Sequence, residues 1–385
     1  MRTQFIDGFF YDSSSCTFFR GTLTATDGKI LSLTPAGEPT PEAEQIISLG
    51  GRSVVPGLID VHTHGRAGHD FAAADTAAMR DMAASYARSG VTALMPTLAS
   101  APKDELIAAS ARIADLRRQG TGSARFLGAH LEGRYLNLAK RGAHAAELLA
   151  PLDPDELEEI LFRPCPPPAH VSAAYELDAD GAFLARVLSC GGTAGLAHTA
   201  ATYDETVRLL KAGVVSFSHL FNAMPPLHHR DPGPVCAALT TDSFAELICD
   251  GLHLHPAMVR MAYAAKGHRR TVLVSDSMEA TGMPDGNYSI AGQPVTVQDG
   301  RALTGDGALA GSTLSLFDGV KNLAAFADIP FAEALYCATR APADMLGLAH
   351  VGDLLPGRMA DFLVLDSLDT QPHIAEVWLG GERYC

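Results

Sequence analysis

Two histidines separated by one residue follow an apolar segment near the start of the chain. The segment reads "VVPGLIDVHTHG", and the two histidines are His62 and His64. If residues 54–61 form a strand, both side chains leave its end on the same face, because side chains alternate faces along a strand. Two neighbouring imidazoles are suited to bind a metal ion, although His-x-His alone also fits a histidine-rich turn. The chemistry therefore depends on whether other segments supply further ligands.

Further histidines and carboxylates stand at the ends of other short apolar segments: Glu132, His198, His219, His253 and Asp276. Glu132, His198 and His219 would make a site of three protein ligands with one position open for water, as in catalytic zinc sites. A divalent metal lowers the pKa of such a water toward about 7. We predict Asp276 as the base that takes a proton from this water and later protonates the leaving group. The alternative for Asp276 is a helix cap or a turn.

The segments that carry these residues alternate with helical patterns, which predicts a (β/α)8 TIM-type barrel. The eight candidate strands lie in "VVPGLIDVHTH", "VTALMPT", "ARFLGAHLEG", "HVSAAYE", "TAGLAHT", "VVSFSHLFN", "FAELICDGLH" and "TVLVSDS". Candidate helices between them cover residues 76–88, 103–118, 180–190 and 203–212. In such a barrel the active site lies at the C-terminal ends of the strands, where these polar residues fall. "NYSIAGQPVTVQDGRAL" is predicted to be an inserted hairpin, and "RPCPPPAH" a loop before the fourth strand.

Both ends of the chain carry short alternating segments that predict a second, smaller domain. "FIDGFFYD" and "FFRGTLTATDGKILSL" contain Asp-Gly pairs, which are typical of β-hairpin turns, and "MADFLVLD" and "IAEVWLGGERY" have strand patterns. We predict a small β-sandwich domain from residues 1–53 and 349–385, and a metal-dependent hydrolase barrel from residues 54–348.

The composition limits the classes of partner and compartment. The hydrophobic fraction of 47% supports a sizeable core, and the net charge of −15 argues against nucleic acid or an anionic membrane as a partner. No segment has the length and hydrophobicity of a signal peptide or a membrane span. The seven cysteines form no Cys-x-x-Cys pair, which predicts reduced thiols in a cytoplasmic protein.

A loop after the sixth candidate strand concentrates hydrogen-bond donors and positive charge. It reads "SHLFNAMPPLHHRDPG" and contains Asn222, His228, His229 and Arg230. Together with His144 in "KRGAH", this loop suits a polar, anionic ligand, because the planar guanidinium of arginine matches the geometry of phosphate. For His228 and His229 a solvated loop is the equal alternative.

Taken together, these motifs resemble the amidohydrolase superfamily and, within it, the N-acetylglucosamine-6-phosphate deacetylases. The resemblance covers essentially the whole chain, from "PGLIDVHTHG" through "HLEGRYLN", "GLAHT", "CDGLHLHP" and "VSDSMEATGMPDG" to "LAGSTLSL" and "GDLLPGRMADFLVLD". The pieces "HLFNAM" and "HHRDPG" are specific to the deacetylases. "PGLIDVHTHG" and "PGRMADFLVLD" mark only the superfamily.

The resemblance implies a hydrolase that converts N-acetylglucosamine 6-phosphate to glucosamine 6-phosphate and acetate, a step of amino-sugar metabolism. It implies Glu132, His198 and His219 as ligands of a divalent metal, with zinc expected first and iron or manganese as alternatives. Asp276 would be the general base and acid. In relatives that keep His-x-His, the glutamate bridges to a second metal, so His62 and His64 are expected to hold one here.

The resemblance also implies a set of substrate contacts. These are Ala143, His144, Asn222, Ala223, Arg230, His253, Leu309, Ala310 and Gly311. His144 would approach the acetamide and take part in catalysis, whereas His253 and Arg230 would bind the phosphate. In the family the arginine comes from the neighbouring subunit, which implies a homodimer.

Two departures from the family pattern leave the exact sugar open. Arg134 stands where the family has proline after Leu-Glu-Gly, and a positive charge beside Glu132 is expected to alter the substrate pocket. The fourth strand ends in Ala174-Tyr175-Glu176 in place of Ala-Pro-Glu. N-acetylgalactosamine and N-acetylmannosamine phosphates therefore remain alternatives.

Two other functional readings remain. A dihydroorotase-like or D-aminoacylase-like enzyme would use a carbamylated lysine at the end of the fourth strand, but "HVSAAYEL" contains no lysine. A non-catalytic relative that only binds sugar phosphate would be expected to have lost metal ligands or the base, and all of these are present.

Overall fold

The apolar segments that end in histidine or a carboxylate form the strands of a parallel barrel. The structure is a computed structural model that describes residues 1–368 and 372–385. The eight barrel strands, first to eighth, are Leu58–Thr63, Val91–Leu98, Ala129–Glu132, Ala169–Ala173, Thr193–Leu196, Val214–Phe217, Phe244–Leu247 and Thr271–Leu273, and a short strand, Arg125–Phe126, pairs with the second. Each pairs in parallel with the next, from the first to the eighth. The prediction of a (β/α)8 barrel is confirmed.

The first and eighth strands meet through hydrogen bonds at their carboxyl ends. The backbone N–H of Asp276 donates to the carbonyl of His62 at 2.9 Å, and that of His64 donates to the carbonyl of Ser277 at 2.8 Å. Below them, the hydroxyl of Ser275 donates to the buried carboxylate of Asp60 at 2.5 Å. These bonds close the barrel, and they fix His62, His64 and Asp276 relative to one another.

Helices cover the outside of the barrel. They span Thr76–Arg88, Lys103–Gln119, Pro154–Leu157, Ala182–Ser189, Tyr203–Ala212, Gly233–Thr240, Pro256–Lys266, Leu316–Ala327, Phe331–Cys337 and Arg340–Met345. Shorter turns are 3₁₀ helices at Leu138–Lys140, Ala146–Leu148 and Tyr175–Leu177, and a π-helical segment at Glu158–Phe162. N-terminal caps define the start of two of the predicted helices: Asp75 accepts from the N–H of Ala78, and Thr202 forms a capping box with Glu205. The predicted bounds differ from these by at most two residues.

Burial on both faces explains why the barrel strands read as continuous apolar segments. Every residue of the first, second and fourth barrel strands is buried. Their outward side chains pack against the helices, as Leu94 and Met79 do in the main hydrophobic cluster. Parallel strands covered by helices need apolar side chains on both sides, so alternation is lost.

The strands at the two chain ends form a separate sheet, as predicted. Its strands are Arg2–Asp12, Thr17–Thr26, Lys29–Pro35, Gln45–Ser48, Ser53–Pro56, Phe362–Leu365, Ile374–Leu379 and Glu382–Arg383. Phe5, Phe362 and Trp378 pack together in its core, with the rings of Phe5 and Trp378 4.8 Å apart. The domain bounds at residues 53 and 349 stay a prediction, and residues 369–371 of the second piece lie outside the described residues.

The single strand predicted over residues 54–61 is wrong, because the chain leaves one sheet for another at Gly57. Ser53–Pro56 pairs with Phe362–Leu365 in the terminal sheet, whereas Leu58–Thr63 belongs to the barrel. A β-carbon on Gly57 would lie 2.0 Å from Oγ1 of Thr92, so only glycine fits this close approach.

One of the two predicted Asp-Gly turns also differs from the structure. Asp7 and Gly8 lie inside the first terminal strand, where the pairing register shifts at a bulge and Asp7 has φ 55°. Asp27 and Gly28 do form the hairpin turn between Thr17–Thr26 and Lys29–Pro35. An Asp-Gly pair supplies a left-handed backbone, which serves a bulge as well as a turn.

The inserted segment forms three antiparallel strands, one more than the predicted hairpin. They are Gly286–Ile290, Gln293–Gln298 and Arg301–Thr304. The turn at Ala291 reaches the loop after the third barrel strand, where the N–H of Ala145 donates to its carbonyl at 3.2 Å.

Across residues 1–368 and 372–385, no helix has the length and apolar character needed to span a membrane.

Candidate active site

Glu132, the last residue of the third barrel strand, lies at the centre of a cluster of histidines. Its Oε1 lies 2.8 Å from Nε2 of His219 and 3.5 Å from Nε2 of His198. Its Oε2 lies 3.1 Å from Nε2 of His62 and 3.0 Å from Nε2 of His64. The two carboxylate oxygens therefore face two different histidine pairs. We call Glu132 Oε1 with His198 and His219 the primary donor set, and Glu132 Oε2 with His62 and His64 the second donor set.

The hydrogen bonds behind two of these rings define which nitrogen carries the proton. Nδ1 of His198 lies 2.8 Å from the carbonyl of Lys140, and Nδ1 of His62 lies 2.8 Å from the carboxylate of Glu246. A carbonyl and a carboxylate only accept, so both Nδ1 atoms donate, and Nε2 has a lone pair for a metal when the ring carries no second proton. This is the tautomer that binds metal through Nε2, with the outer partner fixing the ring.

The donor atoms fit a divalent metal ion. The ligand atoms of His62, His64 and Glu132 all lie within 4.8 Å of one another. In the primary set, Nε2 of His198 and Nε2 of His219 approach to 3.2 Å. Nε2 of His62 is buried without a hydrogen-bond partner among the described residues. A buried lone pair that faces other lone pairs is unfavourable unless a proton or a cation lies between them.

The electrostatics of the cluster also favour a bound cation. Burial works against protonation of His62 and His64, yet nearby carboxylates outweigh it: the pKa of His62 lies well above its usual value, and the pKa of His64 rises to about 9. Burial alone would raise the pKa of Glu132, but His62 and His219 hold it well below its usual range. The site therefore holds positive charge, either as protons or as a metal that replaces them.

Asp276 lies beside the second donor set, just beyond the eighth barrel strand. Its Oδ1 lies 3.3 Å from Nε2 of His64 and 3.7 Å from Nε2 of His62. Burial opposes ionisation of Asp276, but the contact with His64 and the charge of His62 lower its pKa to about 2. The carboxylate is therefore ionised at neutral pH, and it is able to accept a proton from a group bound in the cavity.

His144 presents an N–H to the same cavity because of the residues behind it. The backbone N–H of Arg134 donates to Oγ of Ser100 at 2.9 Å, and that hydroxyl lies 2.9 Å from Nδ1 of His144. The N–H of Ser100 also points to this Nδ1, at 3.4 Å. Since a backbone N–H only donates, Nδ1 accepts and Nε2 carries the proton. Burial, followed by the charge of His198, holds the pKa of His144 well below its usual value, so the ring is neutral.

Three polar residues of the site have backbone dihedral angles in the left-handed region. His198 has φ 45°, His219 has φ 31° and Asp276 has φ 48°. Non-glycine residues rarely adopt this conformation, and such strain concentrates at functional sites. Each of these residues turns out of its barrel strand at the point where its side chain must face the cavity.

A cavity of about 320 Å³ opens above these groups, a size suited to a small ligand. Most of the predicted substrate contacts line it: Ala143, His144, Asn222, Ala223, His253, Leu309 and Gly311. The ring of His253 is oriented by Asp250, whose Oδ2 lies 2.6 Å from Nδ1. This contact leaves Nε2 of His253 available to a ligand.

Three expected neighbours of the cavity lie elsewhere in this chain. Ala310 is fully buried beneath the wall and packs with Met278 and Ile290, so its side chain does not reach the cavity. Arg230 lies on an exposed loop, with its guanidinium 2.8 Å from Nε2 of His229. Arg134 is directed away from the cavity, with its Nε 3.0 Å from Oε1 of Glu156, and its expected effect on the pocket stays a prediction.

A larger cleft, of about 680 Å³, runs alongside the site on the other side of Ile290 and Ala291. Acidic side chains line it, including Asp70, Asp75 and Glu279. This charge disfavours a phosphorylated ligand, so the smaller cavity above Glu132 is the better candidate despite its size.

Comparison with known proteins decides the family. The sequence model of the Amidohydrolase family matches residues 53–384. The chain belongs to the amidohydrolase family. Among curated amidohydrolase relatives, it is 38% identical over 339 residues to an N-acetylglucosamine-6-phosphate deacetylase of Vibrio furnissii, which covers 87% of this chain and 84% of the relative. It is 35% identical over 362 residues to an N-acetylgalactosamine-6-phosphate deacetylase of Escherichia coli O157:H7, covering 94% of this chain and 93% of the relative.

A solved amidohydrolase structure shares the whole fold. It is an aspartate-to-alanine mutant of N-acetyl-D-glucosamine-6-phosphate deacetylase from Mycobacterium smegmatis in complex with N-acetyl-D-glucosamine-6-phosphate. It superposes with a TM-score of 0.85 at 30% identity, over 100% of this chain and 98% of the other.

Sequence reasoning missed two residues that contact histidines of this amidohydrolase site on the side away from the cavity. Glu246, in the seventh barrel strand, contacts Nδ1 of His62, and Ser100 contacts Nδ1 of His144. A charged residue inside the apolar segment "FAELIC" was a visible signal for Glu246. Ser100 carried no such signal, because a serine after a strand is ordinary.

Proposed function

We propose that the protein is a metal-dependent deacetylase that hydrolyses N-acetylglucosamine 6-phosphate to glucosamine 6-phosphate and acetate. The observation that carries this proposal is the position of Glu132 between two histidine pairs, with Asp276 and His144 beside it in one cavity. A curated relative named as a deacetylase of this substrate, at 38% identity, supports the same chemistry. The protein then acts in amino-sugar catabolism or recycling.

Glu132, His198 and His219 would hold the catalytic metal. When bound, a divalent metal polarises the acetamide carbonyl and lowers the pKa of water at the open position. Zinc suits nitrogen and oxygen donors of this kind, and iron or manganese are the alternatives. His62, His64 and Glu132 would hold a second metal, so we expect up to two metals per subunit.

Asp276 moves the proton. It is ionised before the reaction, so it takes a proton from the attacking water as the carbon–oxygen bond forms. The carbon–nitrogen bond of the tetrahedral intermediate then breaks, and Asp276 gives the proton to the departing amine. The products are the free amino sugar phosphate and acetate.

His144 stabilises the negative charge that develops on the acetamide oxygen. Its Nε2–H points into the cavity because Ser100 holds Nδ1 as an acceptor. A neutral, oriented N–H donor in a buried site needs no reorganisation as the charge develops.

The sugar phosphate is held by the cavity wall and by a partner subunit. Ala143, Asn222, Ala223, Leu309 and Gly311 contact the sugar in this proposal. His253, whose ring is oriented by Asp250, contacts the phosphate. Arg230 is exposed in this chain, and we propose that it reaches the phosphate in the neighbouring subunit of a homodimer. The net charge of −15 makes such a local cation necessary for an anionic substrate.

The seven cysteines are all free thiols, which supports a reducing, cytoplasmic compartment. The site also favours the deacetylase branch over other amidohydrolases. The fourth barrel strand ends in Ala173 and is followed by Ala174, so its end offers no lysine to bridge two metals. A non-catalytic role does not explain why the metal donors, the base and the carbonyl donor converge.

N-acetylgalactosamine 6-phosphate is the second candidate substrate. A relative named as its deacetylase is 35% identical and covers 94% of this chain, nearly matching the first in similarity. The two sugars differ only in the configuration at C4, which neither the metal nor Asp276 contacts in the proposed reaction.

An assay of acetate release tests the function and the sugar together. The metal-reconstituted protein is given the 6-phosphates of N-acetylglucosamine, N-acetylgalactosamine and N-acetylmannosamine, with unphosphorylated N-acetylglucosamine as the control. We expect the highest kcat/KM with N-acetylglucosamine 6-phosphate and a much lower value without phosphate. A chain that releases no acetate from any of them would contradict the proposal.

A further inference from the structure

Glu246 is a fully buried carboxylate behind the two donor sets. It lies in the seventh barrel strand, on the apolar segment Phe244–Leu247, and it does not line the substrate cavity. Its Oε2 accepts from Nδ1 of His62 at 2.8 Å and from the backbone N–H of His219 at 3.2 Å. One oxygen therefore contacts a residue of each donor set.

The two sets differ in what lies behind their rings. His198 of the primary set donates to a backbone carbonyl, that of Lys140, whereas His62 of the second set donates to a carboxylate. A carboxylate partner makes an imidazole a stronger metal ligand than a carbonyl does, because it stabilises the positive charge that the ring gains on binding. The second donor set thus depends on Glu246 in a way that the primary set does not.

Burying the carboxylate of Glu246 costs free energy of folding, which indicates a specific role for this side chain. An ionised group in an apolar strand costs free energy unless it is paired and hydrogen-bonded, and Oε1 of Glu246 has no hydrogen-bond partner among the described residues. His62 is the positively polarised side chain that it contacts. The ring held in this way points Nε2 toward Oε2 of Glu132, 3.1 Å away.

We propose that Glu246 is the positioning residue that enables the second donor set to hold a metal, and that without it the chain holds one metal in place of two. The inference rests on the proposed two-metal site and deepens it. Glu246 acts by orienting His62 and by strengthening it as a ligand. Its contact with the primary set is through the backbone of His219, so we expect that set to change little.

The test is a titration of metal-free full-length protein with Zn²⁺ against a chelator of known affinity, for wild type and Glu246→Gln. The glutamine keeps the size of the side chain and an accepting oxygen but removes the charge. We expect the dissociation constant of the second equivalent to rise by about 10- to 100-fold, while that of the first changes only a few-fold. Glu376→Gln, a buried carboxylate of the terminal sheet, is the matched control and should change neither constant.

Two further variants separate positioning from general damage. In His62→Gln/His64→Asn, addition of Glu246→Gln should have no further effect on metal content, because the ring on which it acts is absent. Glu246→Asp keeps the charge but shortens the reach to His62, and it should also weaken the second equivalent. If circular dichroism shows that Glu246→Gln does not fold, Glu246→Asp replaces it in the titration, and the same weakening of the second equivalent is expected.

Three outcomes would overturn the inference. These are a wild-type chain that binds a single equivalent, an unchanged second constant in Glu246→Gln, and an equal loss of both equivalents. Acetate release by wild type is measured on the same samples. Two bound metals without deacetylation would contradict the proposed function and leave the role of Glu246 standing.

Discussion

Glu132 and His219 are 87 positions apart in sequence, yet Oε1 of Glu132 lies 2.8 Å from Nε2 of His219. The third and sixth barrel strands bring them together, because parallel strands of a barrel all end at one face. His198 and the histidines of the first strand reach the same carboxylate for the same reason, because their strands also end at this face. The metal chemistry of this chain is therefore a consequence of where apolar strands end.

Asp276→Asn tests the proton transfer. The amide keeps the size of the side chain but no longer accepts a proton from water, so kcat should fall by about 10²-fold or more. Zinc content and the affinity for a non-hydrolysable substrate analogue should stay near wild type. Near-normal turnover in this variant would remove Asp276 from the mechanism.

His144→Gln tests the donor to the acetamide oxygen. Loss of one such donor lowers kcat by about 10²- to 10³-fold in comparable sites, and the metal content should not change. Ser100→Ala should give a smaller loss of kcat, since it removes the hydroxyl that contacts Nδ1 of His144 but keeps the backbone N–H that also points to this atom. If Ser100→Ala lowered metal content while kcat per bound metal stayed normal, the proposed orientation of His144 would be wrong.

Arg230→Ala tests phosphate binding across the subunit interface. Loss of a charge-assisted hydrogen bond should raise KM for the phosphorylated substrate by roughly 10- to 100-fold, with a smaller effect on kcat. Arg208→Ala, on the outer face of the helix Tyr203–Ala212, removes an exposed arginine elsewhere and should leave KM unchanged.

Mixing two inactive or weakened variants tests where Arg230 acts. In a heterodimer of Arg230→Ala and Asp276→Asn chains, one site combines an intact Asp276 with an intact Arg230 from the partner. Mixed dimers should therefore regain activity at low substrate concentration. If the arginine served its own chain, no site in the heterodimer would be complete and the activity would not return.

Lys266 gives the fold a pH dependence that is separate from the active site. Burial lowers its pKa to about 8, although its Nζ donates to the carbonyls of Ala238 and Thr241. Between pH 8 and about 10.4, the ordinary pKa of lysine, the unfolded chain binds more protons than the folded one, so the contribution of Lys266 to stability rises with pH. Urea unfolding at several pH values should show that wild type gains stability relative to Lys266→Met over this window. A constant difference between the two would contradict the lowered pKa.

The sequence predicts the barrel and most of the cluster because both follow from burial. Strands covered on both faces must be apolar, so a histidine or a glutamate at the end of such a segment stands out, as His198 and Glu132 do. Gly57 marks the limit of this reasoning. Its role is a close approach to Thr92, a contact between distant segments that local pattern does not show.

The residues behind the site were harder to predict for the same reason. The role of Glu246 depends on which strand lies opposite His62, and the direction of Arg134 depends on where Glu156 lies. Ala310 sits in the predicted loop, but its side chain is directed into the hydrophobic cluster. Sequence identifies such residue types, whereas only the tertiary fold decides the face on which a side chain lies.

To test whether Glu132, His198 and His219 hold a catalytic metal, the metal-free protein is titrated with Zn²⁺ while acetate release from N-acetylglucosamine 6-phosphate is measured. Activity should appear with the first equivalent bound at Glu132, His198 and His219. Glu132→Gln should lose high-affinity zinc and turnover together. Full turnover in the metal-free protein, or in Glu132→Gln without bound zinc, would show that deacetylation does not depend on a metal held by Glu132.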